Sequence, residues 1–385
     1  MTGRQWQNLN IGQLGRVVTG STPRTGDDGA WGDAIDFVTP TEMSYSNREP
    51  SECRKLSASG MEALKRRVIP AGSTLFACIG FSTGKVAQIF RPAITNQQVN
   101  ALIPNSSVVD ERFAYYLLRC KSADIRAIAN GSTTPIVNKS MFQAVEVLLP
   151  YRQEQEAIAD VLGALDDKIA INERIATTVD ELAGILFRGC AERAPCVITD
   201  VASITMGQSP PGETYNEVGD GIPFYQGARD FGMRYPGHRV WCTAVARYAH
   251  ENDVLVSVRA PVGEINVAAE TCGIGRGVAA VRSDRYPHAL LHALSSDKSA
   301  WQPYEAEGTV FGAINKTQFS QLELSWPSER HIDGLEAKLK ALDERLRQAT
   351  GESRSLAALR DTLLPQLMSG RLRVKDAEKI VEDHT

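Results

Sequence analysis

The chain has 385 residues, 43% of them apolar and 23% charged, a composition that excludes a disordered or fibrous protein. That length exceeds one ordinary core, so two or three domains are expected. The net charge of −4 does not advertise a polyanion-binding surface. Only residues 1–150, with 16 basic and 12 acidic side chains, lean positive, so any such surface must be focused on one face or shared with a partner.

From the start, MTGRQWQNLNIGQL lacks a positive stretch followed by an apolar one, so no signal peptide is expected. No run of about 18 apolar residues follows, and a cytoplasmic, non-membrane protein is the expectation. Short β-rich runs then alternate with turn signals: IDFVTP, STLFACIG and KVAQIF, followed by a helical stretch over 111–129, a GSTTP turn and the strand AVEVLLP. Residues 152–188 contain no proline. Apolar or small residues recur there at spacings of four and three: Ile158, Leu162, Leu165, Ile169, Asn172, Ala176, Val179, Ala183 and Leu186. This is the seam of a coiled coil, on a helix about 55 Å long. Asn172 at a seam position either sets register or faces water where the seam opens. Further β-rich runs follow, DVLVSV, EINVAA and VAAVR, and a helical stretch over 289–306.

The chain is a repeat. GSTTPIVNKSMFQAVEVLLP (131–150) returns as GTVFGAINKTQFSQLELSWP (308–327) at a constant offset of 177. FSTGKVAQ (81–88) resembles PVGEINVA (261–268), NQQVNALIP (96–104) resembles GRGVAAVRS (275–283), and VVTGSTPR (17–24) parallels SITMGQSPP (203–211). The second copy has lost about ten residues, mostly in loops, where length change is cheap. The offset of 177 carries the seam onto Leu335, Leu339, Leu342, Leu346, Ala349, Ser353, Leu356, Arg360 and Leu363, with Arg360 the exception at a frayed end. A narrow apolar stripe needs a partner stripe, and the two helices are the natural partners, antiparallel about an approximate two-fold axis. Ile185 and Phe187 lie outside the seam and are expected to await company.

The seven cysteines, at 53, 78, 120, 190, 196, 242 and 272, form no CxxC pair and read as reduced thiols. His238 and Cys242 have no second pair to complete four ligands, so no metal site is expected.

The chain resembles the specificity subunit of type I restriction–modification systems over nearly its whole length. The residues that carry the likeness are GSTPR (20–24), IPAGSTLFACIGFSTGKVA (69–87), the strand of 131–150 leading into YRQEQEAIADVLGALDDKI (151–169), and the closing LRDTLLPQLMSGRLRV (359–374). The resemblance implies an α+β architecture: two mixed α/β target-recognition domains in pseudo-two-fold repeat, separated by two long antiparallel coiled-coil helices. The corresponding division is 1–150 for the first recognition domain, 151–190 for the first spacer helix, 191–327 for the second domain, 328–370 for the second helix, and 371–385 for a C-terminal tail. Each domain would read half of a bipartite, asymmetric site in double-stranded DNA. The helices would set the spacing and dock two copies of an adenine methyltransferase subunit that binds S-adenosylmethionine. A translocating endonuclease subunit can join that core.

No catalytic centre or cofactor is expected in the chain itself. It has no Asn-Pro-Pro-aromatic motif to hold a flipped adenine, SPPG (209–212) being the nearest string. It has no GxxxxGK[ST] phosphate cradle, and FSTGKV reads as a hairpin turn with a lysine at its tip. Phosphate contacts position a reader and base-edge contacts specify. Candidates for DNA contact in the first copy are Ser21, Thr22, Arg24, Lys85, Asn96, Gln97, Gln98, Thr133, Thr134 and Lys139. In the second they are Gln208, Ser209, Tyr225, Gln226, Arg229, Arg259, Arg276, Thr309 and Lys316. Asparagine and glutamine can pair bidentately with adenine, and arginine with guanine. Tyr225 would stack or hydrogen-bond near the phosphates. The pairs Asn138-Lys139 and Asn315-Lys316 recur in both copies and can equally be structural, capping a turn. Gly131 and Gly308 serve backbone geometry. Two other readings stay open at this point: a coiled-coil interaction scaffold with two protein-binding domains, favoured by the near-neutral charge, and a self-contained duplicated enzyme.

Overall fold

The computed structural model describes residues 6–24, 26–129, 135–296, 298–305 and 312–383. Thr133, Thr134 and Thr309, with Gly131 and Gly308, lie outside them. The chain divides into two compact units, Met1–Glu173 with Gly351–Thr385, and Arg174–Thr350.

The first unit is built on a four-stranded antiparallel sheet in the order Gly15–Thr19, Val99–Pro104, Thr74–Ala77, Val86–Gln88. Alternation along its strands divides the side chains between two cores. Val17, Phe76 and Leu102 face one that includes Phe113, Tyr116 and Leu117 of the helix Glu111–Ile128. Val18, Leu75, Ala77, Val99 and Ala101 face the other, with Val38 and Ala93 from a second, three-stranded sheet. Burial on both faces explains why Thr74–Ala77 reads as a continuous apolar run rather than an alternating one. The helix Glu111–Ile128 starts where Asp110 accepts from the amides of Arg112 and Phe113.

The second unit repeats the sheet as Ser203–Met206, Val278–Arg282, Val254–Ser257, Ile265–Val267, again wholly antiparallel. Val254 and Val256 face one core, while Leu255 faces another. Each unit also has one parallel pair in its other sheet, Trp31–Val38 with Ala93–Thr95 and Ile222–Tyr225 with Cys272–Ile274. The helical stretch expected over 289–306 is interrupted: an α-helix, Pro287–Ser296, gives way to a 3₁₀ segment, Lys298–Tyr304, which contains Pro303. Proline removes an amide donor that an α-helix needs.

Two long helices, Arg152–Arg188 and Glu329–Met368, are each shared between the units, residues 152–173 and 351–368 belonging to the first and 174–188 and 329–350 to the second. In the first unit Ile158, Leu162 and Leu165 share a core with Leu356, Leu363, Leu364 and Leu367. Asn172 Nδ2 donates to Glu352 at 2.8 Å, and Asp166 meets Arg360 eight residues further on, so the two segments run antiparallel there. In the second unit Ala183 and Phe187 pack with Ile332, Leu335 and Leu339. Leu346 is fully buried, whereas Ile169, Val179, Leu186 and Leu342 are half-buried.

At Asn172 the structure decides between two open readings, and two expectations about the helices are corrected. Asn172 does not face water; it is 1% exposed and bonded to Glu352. Phe187 is fully buried, because the body of the second unit, not an external partner, covers that side of the helix; Ile185 remains exposed. Arg360 does not lie at a frayed end: it is 2% exposed and held by Asp166 at 2.5 Å and Asp361 at 2.9 Å. The segment 371–385, expected as a tail, contains the helix Val374–Glu382, whose Ala377 is buried in the first unit's core. Its amphipathic spacing gives it an apolar face to dock.

All seven cysteines are free. Among the described residues no helix is long and apolar enough to cross a membrane, and no cluster of His, Cys, Asp and Glu could hold a metal ion.

Candidate nucleic-acid interface

Antiparallel pairing sends the loops of alternate connections to the same end of a sheet. In the first unit the strand Gly15–Thr19 ends, Val99–Pro104 begins, Thr74–Ala77 ends and Val86–Gln88 begins at one edge. The segments 20–24, 96–98 and 78–85 therefore emerge together. Backbone bonds tie them: Gly20 N donates to Val99 O, Ser21 N to Thr95 O, and Cys78 N to Gln98 O. The second unit has the same three bonds at matched positions, Gly207 N to Val278 O, Gln208 N to Ile274 O, and Val258 N to Gly277 O. Gly20 and Gly207 are required by this close approach. A Cβ on Gly20 would lie 2.1 Å from Thr95 O, and one on Gly207 2.1 Å from Gly275 O.

Most of the polar residues singled out in the sequence converge on these ends. Thr22 Oγ1 donates to Gln97 Oε1 at 2.7 Å, and Asn96 Nδ2 donates to Gln98 Oε1 at 3.2 Å. Ser21 lies on the same loop, and Arg24 follows it, exposed. In the second unit Arg276 donates to Ser209 Oγ through its amide at 3.3 Å and its Nε at 3.4 Å. Gln226 is exposed and donates to Tyr215 Oη at 3.0 Å, beside Gly275, whose amide donates to Tyr225 O. Arg259, also exposed, lies on the matching hairpin loop and pairs with Ala313. Arg229 is exposed on the short turn that follows Gln226.

Other candidates are placed differently. Tyr225 is 2% exposed and packs among Leu255, Ile274 and Val278, so it is a core residue and offers no ring to a ligand. The apolar bulk of its ring outweighed its hydroxyl. Lys85 is half-buried rather than free at the hairpin tip, with one of its three ammonium donors held by Pro40 O at 2.8 Å. Asn138 and Asn315 cap short helices by accepting from Met141 N and Gln318 N, which decides for the capping role. Lys139 and Lys316 are the exposed first residues of those helices. Replacing Asn315 by alanine is expected to cost about 1 kcal/mol, read by chemical unfolding, and an unchanged midpoint would contradict the cap.

Two arginines escaped the sequence reading. Arg67, in the basic triplet Lys65-Arg66-Arg67, donates to Thr19 O at 2.9 Å and so stands beside the 20–24 loop. Arg247 holds the equivalent place: Ile274 N donates to Arg247 O, while Gln208 N donates to Ile274 O. Both are exposed. Arg239 and Arg282 are neutralised by Asp230 and Asp253 at 2.6 and 2.7 Å. Among the described residues, no carboxylate pairs with Arg67, Arg247, Arg259 or Arg276. The offset of about 180 that aligns the hairpins also aligns these two arginines, and is the signal that would have found them.

In each unit a buried carboxylate fixes the body to a long helix. Asp166 accepts from Tyr116 Oη at 2.6 Å and from Arg360. Burial and the neighbouring Asp166 carboxylate push the Tyr116 phenol well above its ordinary range. In the second unit Asp343 meets His288 at 2.8 Å, His292 at 3.4 Å and Arg234 at 3.5 Å. Its burial alone would raise its pKa. Hydrogen bonds from His288 and His292 and the charge of Arg234 outweigh that and hold the carboxyl well below the usual range. Asp343 is Asp166 displaced by the repeat offset of 177.

Residues 3–181 match the family described as the type I restriction modification DNA specificity domain. The chain is 28% identical over 342 residues to a putative type I restriction enzyme specificity subunit, MjaX, of Methanocaldococcus jannaschii, covering 79% of each chain. It is 30% identical over 192 residues to the MjaIX specificity subunit of the same organism, covering 48% of this chain and 43% of that one. Among solved structures, the type I S subunit from M. genitalium superposes with a TM-score of 0.60 at 17% identity, over 95% of this chain and 97% of that one, which shows a shared fold.

Proposed function

We propose that the chain is a type I restriction–modification DNA specificity subunit, as the domain match over residues 3–181 and the similar specificity subunits support, and that each sheet end reads one half of a bipartite target in duplex DNA. The observation that carries this reading is the recurrence of one loop arrangement in both units, with different side chains mounted on it. Identical backbone bonds present Ser21, Thr22, Asn96, Gln97 and Gln98 in one and Gln208, Ser209, Gln226 and Arg276 in the other. A common frame with unlike polar tips is what two different half-site sequences require.

In this reading Arg67 and Arg247 supply phosphate contacts at the rim. The remaining parts are inferred from the family: a partner modification subunit that binds S-adenosylmethionine and performs the adenine methylation, in two copies, a restriction subunit where cleavage occurs, and no catalytic role for this chain. The two long helices would act as the spacer. The scaffold reading rested on near-neutral charge, and the exposed arginines without carboxylate partners remove that support.

Two experiments test the proposal. Replacing Arg67 or Arg247 by alanine should weaken binding of any duplex and lower the dependence of affinity on salt by about one counterion each, measured by titration at several salt concentrations. An unchanged salt slope for both variants would contradict the rim assignment. Exchanging residues 12–150 for the first domain of another family member should change one half of the methylated motif and leave the other. Mapping of methylated adenines that found both halves altered would show that the units do not read independently.

A further inference from the structure

The sheet end of the first unit carries an unexplained aromatic. Phe81 is 97% exposed, the highest value for any large apolar side chain among the described residues. It sits in the turn Gly80–Ser82, at the tip of the hairpin formed by Thr74–Ala77 and Val86–Gln88. This turn is braced. Gly80 N donates to Pro135 O at 3.0 Å, Gly84 N donates to Ala77 O at 3.0 Å, and Tyr45 Oη reaches Phe81 O at 3.2 Å and Thr83 O at 3.3 Å. The ring is thus held out in water by fixed backbone, where burial of its surface is forgone. Tyr45 and Ile136, 55% and 49% exposed, flank the tip. Among the described residues, the second unit's hairpin tip carries no such ring: Ala260 and Pro261 stand there, and Val262 turns inward, 5% exposed.

We propose that Phe81 is an apolar wedge that stacks on, and partly opens, a base step in the half-site read by the first unit. The inference rests on the reading that this sheet end faces DNA. Continuity argues for a base step as the occupant: the wedge shares its end with Ser21, Thr22, Asn96, Gln97, Gln98 and Arg67, and Cys78, three residues before it, bonds Gln98 directly. On a duplex approached by such polar tips, the apolar surfaces a protruding ring can meet are a thymine methyl and the face of a base, and only the latter matches the area of a whole ring. The wedge would make specificity at that position depend on how readily the step unstacks, a preference independent of hydrogen-bonded readout.

The test uses the full-length chain, alone and with its modification subunit, on duplexes carrying 2-aminopurine at successive positions of the half-site other than the methylated adenine. Phe81→Ala should weaken binding of the cognate duplex about tenfold or more with an unchanged salt slope, since an apolar contact releases no counterions. It should also abolish a fluorescence rise confined to one step, which Phe81→Trp should retain. Arg67→Ala serves as the reference. If Arg67→Ala weakens binding while Phe81→Ala changes neither affinity nor fluorescence, the wedge is wrong and the DNA-facing reading stands. If neither variant changes binding, the reading of this sheet end falls with it. If Phe81→Ala keeps DNA affinity but releases the modification subunit, the ring is a protein contact and the proposal is overturned.

Discussion

Replacing Arg360 by leucine is expected to cost about 3–5 kcal/mol, because it leaves the buried Asp166 carboxylate without its cation. A buried charge stripped of its partner keeps its desolvation penalty and loses the attraction that offset it. Removing both charges, Arg360→Leu with Asp166→Leu, should recover much of the loss, since an apolar pair can fill such a site. Recovery should be incomplete, because Tyr116 Oη then loses its acceptor, worth about 1–3 kcal/mol when buried. Urea unfolding of the two variants against the parent chain measures both effects. A single Arg360 variant as stable as the parent would mean that this ion pair holds nothing together.

The second large effect is at Asp343. Its replacement by asparagine should cost about 3 kcal/mol near neutral pH, since Arg234 loses a buried counter-charge while His288 and His292 lose the carboxylate they meet. The pH dependence follows from the direction of its shift. The folded-state pKa lies below the unfolded value of about 3.9, so the carboxylate's stabilisation is complete above that pH and declines as pH falls toward the folded value. The stability difference between the parent and Asp343→Asn should therefore begin to narrow below about pH 4 and continue narrowing toward pH 2. A gap that stays constant to pH 2 would show that the carboxylate's ionisation is not its source. Exposed pairs such as Lys65–Glu62 should show no comparable effect, because water and salt screen them.

Much of the frame was legible in the chain itself. The offset of 177 located the matched helices and the matched Asn-capped turns, because both copies must satisfy the same backbone and the same core. The pattern also placed Ser21, Asn96 and Gln97 on turns beside strands, and the sheet pairing brought those turns together. Its failures share one feature, that the fate of the side chain depends on a remote neighbour. Tyr225 looked like a surface aromatic until Leu255 and Ile274 enclosed it. Lys85 looked like a free tip lysine until folding brought Pro40 O to one of its donors. Phe187 broke the seven-residue spacing and was assigned outward, yet the body of its own unit covers it.

Local order in this protein was set by the sequence: strand alternation, the proline-free helices, the capped turns, and the duplication that repeats them. These depend on residues a few positions apart, so one chain read in order contains them. Tertiary structure decided which end of each sheet gathers the polar loops, that Arg67 and Arg247 stand beside them, and that Arg360 is buried rather than frayed. Arg360 and Asp166 are 194 positions apart, and a charge at that separation is neither costly nor useful until folding removes the water between them.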